Sequence, residues 1–262
     1  MPDSFGAPRA VLVTGGARGI GLGVARICLR RGWRVALTAT SAEGARAAVD
    51  RLVLEEELAP HVIHPLALQV QDPDAWPEAL DAAEAALGPL SALVANAGVS
   101  PRREGRKVPF AAEGDEPFWA DTFAVNVEGA IHGARLLSRR LIARKAPGAI
   151  VMMSSIVGVS TVPMVSSYYT ASKAALLGFV RAAAHDLGPH GIRLNAVNPG
   201  RIDSDLVRLS GAAANEAIAA QTALGRLGHA EEVGEAVEFL LSDRASFITG
   251  TRLNVTGGWV ES

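Results

Sequence analysis

The sequence predicts a doubly wound α/β fold, a single domain over residues 1–262 with a parallel sheet of about seven strands and helices on both faces. Three observations lead there. Short β-branched and aliphatic runs alternate with stretches of ten or more residues whose apolar positions recur at helical spacing, and strands joined by such helices run parallel and are covered on both faces. The first apolar run passes into its helix through a glycine-rich turn, Thr14-Gly15-Gly16-Ala17-Arg18-Gly19-Ile20-Gly21. The 262 residues, 49% hydrophobic, suffice for one core that buries roughly three quarters of the unfolded surface, and no linker or shift in composition divides them.

Taken in order, Val11 to Val13 is a strand and Ile20 to Arg31 a helix. Arg34 to Thr38 and Val62 to Val70 are strands, each followed by a helix, Ala42 to Leu58 and Pro73 to Leu87, the latter capped by Asp72. Ser91 to Ala95 is the fourth strand. A long helical segment from Phe118 to Arg144 follows, then strand Ala149 to Met153, helix Ser167 to Leu187, strand Arg193 to Val197, helix Glu231 to Ser242 and strand Arg252 to Val255. Two irregular stretches, 99–117 and 200–227, exceed the roughly 12 to 15 residues usual for a structureless connection and are expected to bind substrate.

Composition excludes several classes of function. Twenty-five basic against 27 acidic residues leave a formal charge of −2, no field for holding nucleic acid or an anionic membrane. The longest uncharged run, 146–172, contains six serines, two threonines and two prolines, unlike a membrane helix. A lone cysteine, Cys28, forbids an intrachain disulfide and fits a reducing compartment. Met1 to Ala10 lacks the basic-then-apolar pattern of a signal peptide, so a cytoplasmic location is expected. The six histidines have no metal-ligand spacing, and no metal is expected.

Between a strand and a helix, glycines let the backbone approach a pyrophosphate, while the free N–H groups and the positive helix end attract it. The turn at 14–21 therefore points to a nucleotide. Further along come Asn96-Ala97-Gly98 after the fourth strand, Tyr169-x-x-x-Lys173, and Pro199-Gly200 after the sixth. With these motifs in this order over nearly the whole chain, the sequence resembles the short-chain dehydrogenases/reductases, whose glycine motif is Thr-Gly-x-x-x-Gly-x-Gly. Around the cofactor it is similar to the 3-oxoacyl carrier-protein reductases. The resemblance implies a Rossmann fold, NAD(P)-dependent hydride transfer between nicotinamide and a carbonyl or secondary alcohol, and a homotetramer built on the two long helices.

The resemblance assigns dinucleotide contacts to Gly15, Ala17, Arg18, Gly19, Ile20 and Gly21, to the Val70 backbone, to Asn96, Ala97 and Gly98, and to Pro199, Gly200, Ile202 and Ser204. Ser204 stands where relatives carry threonine, and Gln69 where they commonly carry aspartate against the adenine. Ala39 occupies the position at which NAD-preferring members place the aspartate that repels a 2′-phosphate. Arg18, with Thr38, Thr40 and Ser41 nearby, offers a cation and hydroxyls for that phosphate, so NADP(H) is favoured and NAD(H) is the alternative.

Tyr169 and Lys173, four residues apart on a helix, share one face. A neighbouring ammonium favours the phenolate and draws the phenol toward a working range. In the resembling enzymes the tyrosine is the acid/base and the lysine bonds the nicotinamide ribose. Ser154 and Ser155 both follow the fifth strand, and alignment favours Ser155 for the substrate oxygen. The interval from Ser155 to Tyr169 is one longer than usual, whereas Tyr168 fails the spacing to Lys173, so Tyr169 is the expected residue and Tyr168 packs. Asn126, in Asn126-Val127-Glu128-Gly129, is similar to the family's Asn-x-x-Gly motif, and the resemblance implies that it completes the set by holding a water that links the lysine to solvent.

The partner implied is a small carbonyl or alcohol, an acyl thioester among the candidates. The charged stretch around Arg102, Arg103, Arg106 and Lys107, and Arg140 on the long helix, are candidate docking cations. A catabolic dehydrogenase of a sugar, polyol or secondary alcohol is the alternative, and a non-catalytic nucleotide-binding regulator a more distant one.

Overall fold

The computed structural model describes residues 9–100, 102–103, 106–107, 118–162, 165–203 and 212–259. Its first half runs β1 (Ala10–Val13), α1 (Gly19–Arg30), β2 (Arg34–Ala39), α2 (Ala42–Glu55), β3 (Ile63–Ala67), α3 (Ala75–Leu87) and β4 (Leu90–Ala95). Two-residue strands β5 (Arg102–Arg103) and β6 (Arg106–Lys107) pair antiparallel, and then come α4 (Phe118–Phe123), α5 (Gly129–Arg144), β7 (Gly148–Met153) and α6 (Ser167–Leu187). The chain continues through β8 (Ile192–Pro199), α7 (Ala212–Ala219), α8 (Ala230–Leu241) and β9 (Arg252–Val255). The seven long strands form one parallel sheet in the order β3-β2-β1-β4-β7-β8-β9. Strand order reverses between β1 and β4, and the carboxyl-end crevice at that reversal is where open α/β sheets bind ligands.

Alternation along each strand divides the core in two. Val11, Val13, Val35, Leu37, Val94 and Val151 pack on α1, α2 and α8. Leu12, Ala36, Leu93, Ile150, Met152 and Leu194 pack on the other face, under α3, α5 and α6. Period-two runs buried on both sides are what a helix-covered parallel sheet requires. Cys28 lies within the first core, and burial pushes its thiol well above the ordinary range, so it is a packing residue. Among the described residues no helix is long and apolar enough to cross a membrane.

Several expected boundaries move. β3 is shorter than the run Val62 to Val70, because Pro60–Val62 forms a turn of 3-10 helix ahead of it. α3 starts at Ala75, and Asp72 closes the preceding turn instead of capping the helix, its Oδ1 accepting from Asp74 N at 3.0 Å. The long segment from Phe118 is not one uniform helix: a π turn at Ala124–Glu128 separates α4 from α5. The stretch 200–227 contains α7, which periodicity did not announce. Gly129 and Gly133 face inward, since a Cβ there would lie 2.8 Å from Val70 Cγ2 and 2.3 Å from Trp76 Cη2. They serve packing of α5 inside this chain.

Candidate active site

The glycine turn leaves β1 at the reversal of strand order and is braced from both sides. Asn96, just past β4, donates through Nδ2 to Thr14 O (2.9 Å) and Gly15 O (3.1 Å). Thr14 Oγ1 in turn accepts from Asn96 N and Ala97 N, both at 3.0 Å. On the β2 side, Thr38 Oγ1 accepts from Gly15 N (3.2 Å) and Thr38 O from Gly16 N (2.9 Å). Thr38 is 1% exposed, so its hydroxyl holds the turn from behind. Thr40, Ser41 and Arg18 are exposed, although Ser41 Oγ already caps α2 by accepting from Gly44 N at 3.1 Å.

These residues fit a dinucleotide. Gly15 and Gly19 have φ of +62° and +53°, the left-handed region that glycine enters freely. A Cβ on Gly21 would stand 2.3 Å from Gly15 O, while one on Gly19 would meet nothing within 4 Å, which marks open space over the start of α1. The first turn of α1 carries no acidic residue to oppose an anion. Ala17, Arg18 and Ile20 lie in the same turn and at the start of α1. Val70 is buried, its carbonyl accepting from Trp76 Nε1 at 2.8 Å. Gln69 sends Nε2 to Thr40 O (3.2 Å) and its amide oxygen accepts from Gln71 (3.3 Å).

The reacting groups gather at the carboxyl end of β7. Ser166 caps α6 by accepting from Tyr169 N at 3.3 Å, which places Tyr169 in the first turn of the helix and Lys173 one turn on. Lys173 is 3% exposed; its Nζ donates to Met153 O at 2.8 Å and lies 5.5 Å from the centre of the Tyr169 ring. Burial brings its ammonium down to about 8. The Tyr169 phenol is pushed up by burial, and the hydrogen bond to the Ser155 side chain pulls the other way. The expected lowering of the phenol by the ammonium is not seen in this arrangement, in which Nζ is turned toward the Met153 carbonyl.

The paired alternatives separate cleanly in space. Ser154 is buried and its hydroxyl donates to Lys173 O at 2.8 Å, fixing α6 to β7, whereas Ser155 is half-buried and hydrogen-bonds the Tyr169 side chain. Tyr168 is buried and meets Trp119 edge-on at 5.8 Å between ring centres, with Trp119 stacked on Phe123 at 4.0 Å. Asn126, in the π turn and 1% exposed, donates to Val99 O (2.9 Å) and Ser172 Oγ (3.0 Å) and accepts from Val99 N (2.7 Å). A Cβ on Gly98 would lie 3.2 Å from Asn126 Oδ1 and 3.4 Å from Lys173 Nζ, so Gly98 opens a gap against both.

Gly200 follows Pro199 at the end of β8, where a Cβ would lie 2.9 Å from Thr256 Cα. Ile202 is buried and bridges Gly228. Ser204 lies outside the described residues, as does most of 104–117. Arg140 is not free to dock a partner, since it pairs with Asp81 (2.7 Å) and Glu84 (2.8 Å). Ser172 and Ser154 went unnoticed in the sequence as positioning residues. Spacing marked the first, three residues after Tyr169 and adjoining Lys173.

A glycine cradle at the strand-order reversal of a parallel sheet, with serine, tyrosine and lysine side chains beside it, defines an NAD(P)-dependent oxidoreductase. The chain belongs to the short-chain dehydrogenase/reductase family. A family model described as Enoyl-(Acyl carrier protein) reductase matches residues 15–260. The chain is 37% identical over 261 residues to cis-4-hydroxycyclohexanecarboxylate dehydrogenase of Sinomonas cyclohexanicum, covering 99% of each. It is 35% identical over 254 residues to L-rhamnose 1-dehydrogenase (NAD(P)(+)) of Azotobacter vinelandii, covering 95% of this chain and 96% of that one. A crystal structure of a 3-oxoacyl-[acyl-carrier protein] reductase with bound NAD from Brucella melitensis superposes with a TM-score of 0.87 at 31% identity, over 97% of this chain and 92% of that one.

Proposed function

We propose that residues 1–262 act as one catalytic unit that reduces a ketone or 3-oxoacyl carbonyl with NADPH, with Tyr169 as the acid/base. The observation that carries this reading is the meeting of Ser155, Tyr169 and Lys173 at the end of β7, next to Gly98 and the glycine cradle. When bound, the nicotinamide supplies the hydride for reduction and takes it up in oxidation. Ser155 Oγ, within reach of the Tyr169 side chain, holds the substrate oxygen. Tyr169 gives that oxygen its proton as the carbonyl carbon is reduced, and takes a proton back in the reverse direction. Lys173, cationic at neutral pH, would hold the nicotinamide ribose. Asn126 fixes the Val99 backbone and, through Ser172, the first turn of α6, as a support for Lys173.

Ala39 at the end of β2 and the exposed Arg18, Thr40 and Ser41 support NADP(H) over NAD(H). The names of the rhamnose and cyclohexanecarboxylate relatives favour a second reading, a dehydrogenase of a sugar or secondary alcohol. A homotetramer is supported by α6, where Ala174 is exposed and a Cβ on Gly178 would have nothing nearer than 3.9 Å, leaving room for a helix of a second copy. A solution mass of one chain would refute it. Steady-state rates with acetoacetyl thioesters, small ketones and sugars, each under NADPH and NADH, test the function. Tyr169→Phe is expected to keep NADPH binding and lose turnover by about 100- to 10,000-fold, and near-normal turnover would remove Tyr169 from its role.

A further inference from the structure

The surface next to the reacting groups has a chemistry of its own. Ile156 and Val157 directly follow Ser155 and, with Ile218 of α7 and Trp259, form a third apolar cluster, separate from the two that sandwich the sheet. Tyr169 itself packs against this cluster, together with Val162, Val165 and Leu227. These last three are only half-buried, so each leaves apolar surface exposed in the cluster that Tyr169 packs against. Gln221 Oε1 accepts from Trp259 Nε1 at 3.4 Å, and Arg226, next to Leu227, grips Glu232 through two bonds of 2.8 and 2.6 Å. Arg201 donates to Asn215, one turn before Ile218 on α7.

We infer that the part of the substrate beyond its carbonyl lies against this apolar wall, so that the site takes alkyl or alicyclic ketones in preference to polyhydroxylated ones. This deepens the hydride-transfer reading and rests on it. A hydroxyl pressed against Val162, Val165 and Leu227 would leave water for side chains that cannot hydrogen-bond it, a desolvation cost that a sugar ketone would incur at several carbons. A methylene in the same place gains from leaving water. An enzyme that selects a polyol surrounds it with hydrogen-bonding groups, because unmet polar groups are what reject the wrong substrate.

The test is a ladder of 2-butanone, 2-pentanone and 2-hexanone against 3,4-dihydroxy-2-butanone and a ketohexose, followed by NADPH oxidation, with NADPH binding titrated in parallel by fluorescence. The expected result is a rise in kcat/KM of about fourfold per added methylene, with each hydroxylated ketone about tenfold or more below its alkyl counterpart. Leu227→Ala is expected to lower kcat/KM for 2-hexanone severalfold while leaving acetone within about twofold. A flat ladder, hydroxylated ketones turned over as well as alkyl ones, or an equal loss on both substrates in Leu227→Ala would overturn the apolar wall. Turnover of none of the ketones with normal NADPH binding would overturn the hydride-transfer reading beneath it.

Discussion

Replacing Lys173 by Met should uncover a stability that the wild-type protein forgoes. The ammonium is 3% exposed, and burial lowers it from 10.5 to about 8. At about 1.4 kcal/mol per pKa unit, keeping that charge in the folded protein costs about 3 kcal/mol at any pH below 8. Between pH 8 and 10.5 the unfolded chain holds a proton that the folded chain has released, so wild-type stability rises with pH through this window and then levels off. The variant has no such group. Its stability relative to wild type is therefore greatest at pH 7 and falls by about 3 kcal/mol by pH 10.5. The lost hydrogen bond to Met153 O, 2.8 Å long, subtracts about 1 kcal/mol at every pH. Urea unfolding of both proteins at pH 7, 8.5 and 10 measures the difference, and titrating groups common to the two cancel. A difference that stays constant across these pH values would refute the buried ammonium.

Three further outcomes are expected. Ser154→Ala should lose about 1 kcal/mol of unfolding free energy through the bond to Lys173 O while keeping most of kcat, whereas Ser155→Ala should lose kcat and keep stability. Ala39→Asp places a carboxylate at the end of β2, and the ratio of kcat/KM for NADPH over NADH should fall by about tenfold or more. Gly133→Ala pushes a methyl into Trp76 and should lower unfolding free energy by about 1 to 3 kcal/mol in a denaturant titration, with kcat unchanged at permissive temperature.

Much of the fold was legible because its signals are local. Val11 and Val13 on one side and Leu12 on the other state the alternation in three residues, and the glycine turn marks where β1 ends. The shared face of Tyr169 and Lys173 was legible from spacing, since a helix turns residues four apart onto one face, while their roles came from the family resemblance. What the sequence withheld depends on neighbours distant along the chain. Thr38 reads as a surface hydroxyl at a strand end, yet Gly15, 23 residues away, claims it. The π turn exists alongside bonds from Asn126 to Val99 and Ser172, which no helical periodicity encodes. α7 is alanine-rich, a propensity signal without the apolar stripe that would have announced it. The direction of Lys173 Nζ depends on a carbonyl of another strand, which is why the phenol's shift was misjudged.

The bonds that brace the site form a continuous chain: β2 to the glycine turn through Thr38, the turn to the end of β4 through Thr14 and Asn96, and Val99 to the π turn and α6 through Asn126 and Ser172. Almost every link is a side chain bonded to a main-chain group of another loop. Loops tied in this way cannot fray one at a time, because opening any of them strands a donor or acceptor on the next. The amides of Gly15, Ala97 and Val99 should then exchange their hydrogens as one cooperative unit, and tightening at the nucleotide end of the crevice would be felt at the carbonyl end as reduced motion, with little displacement of any atom.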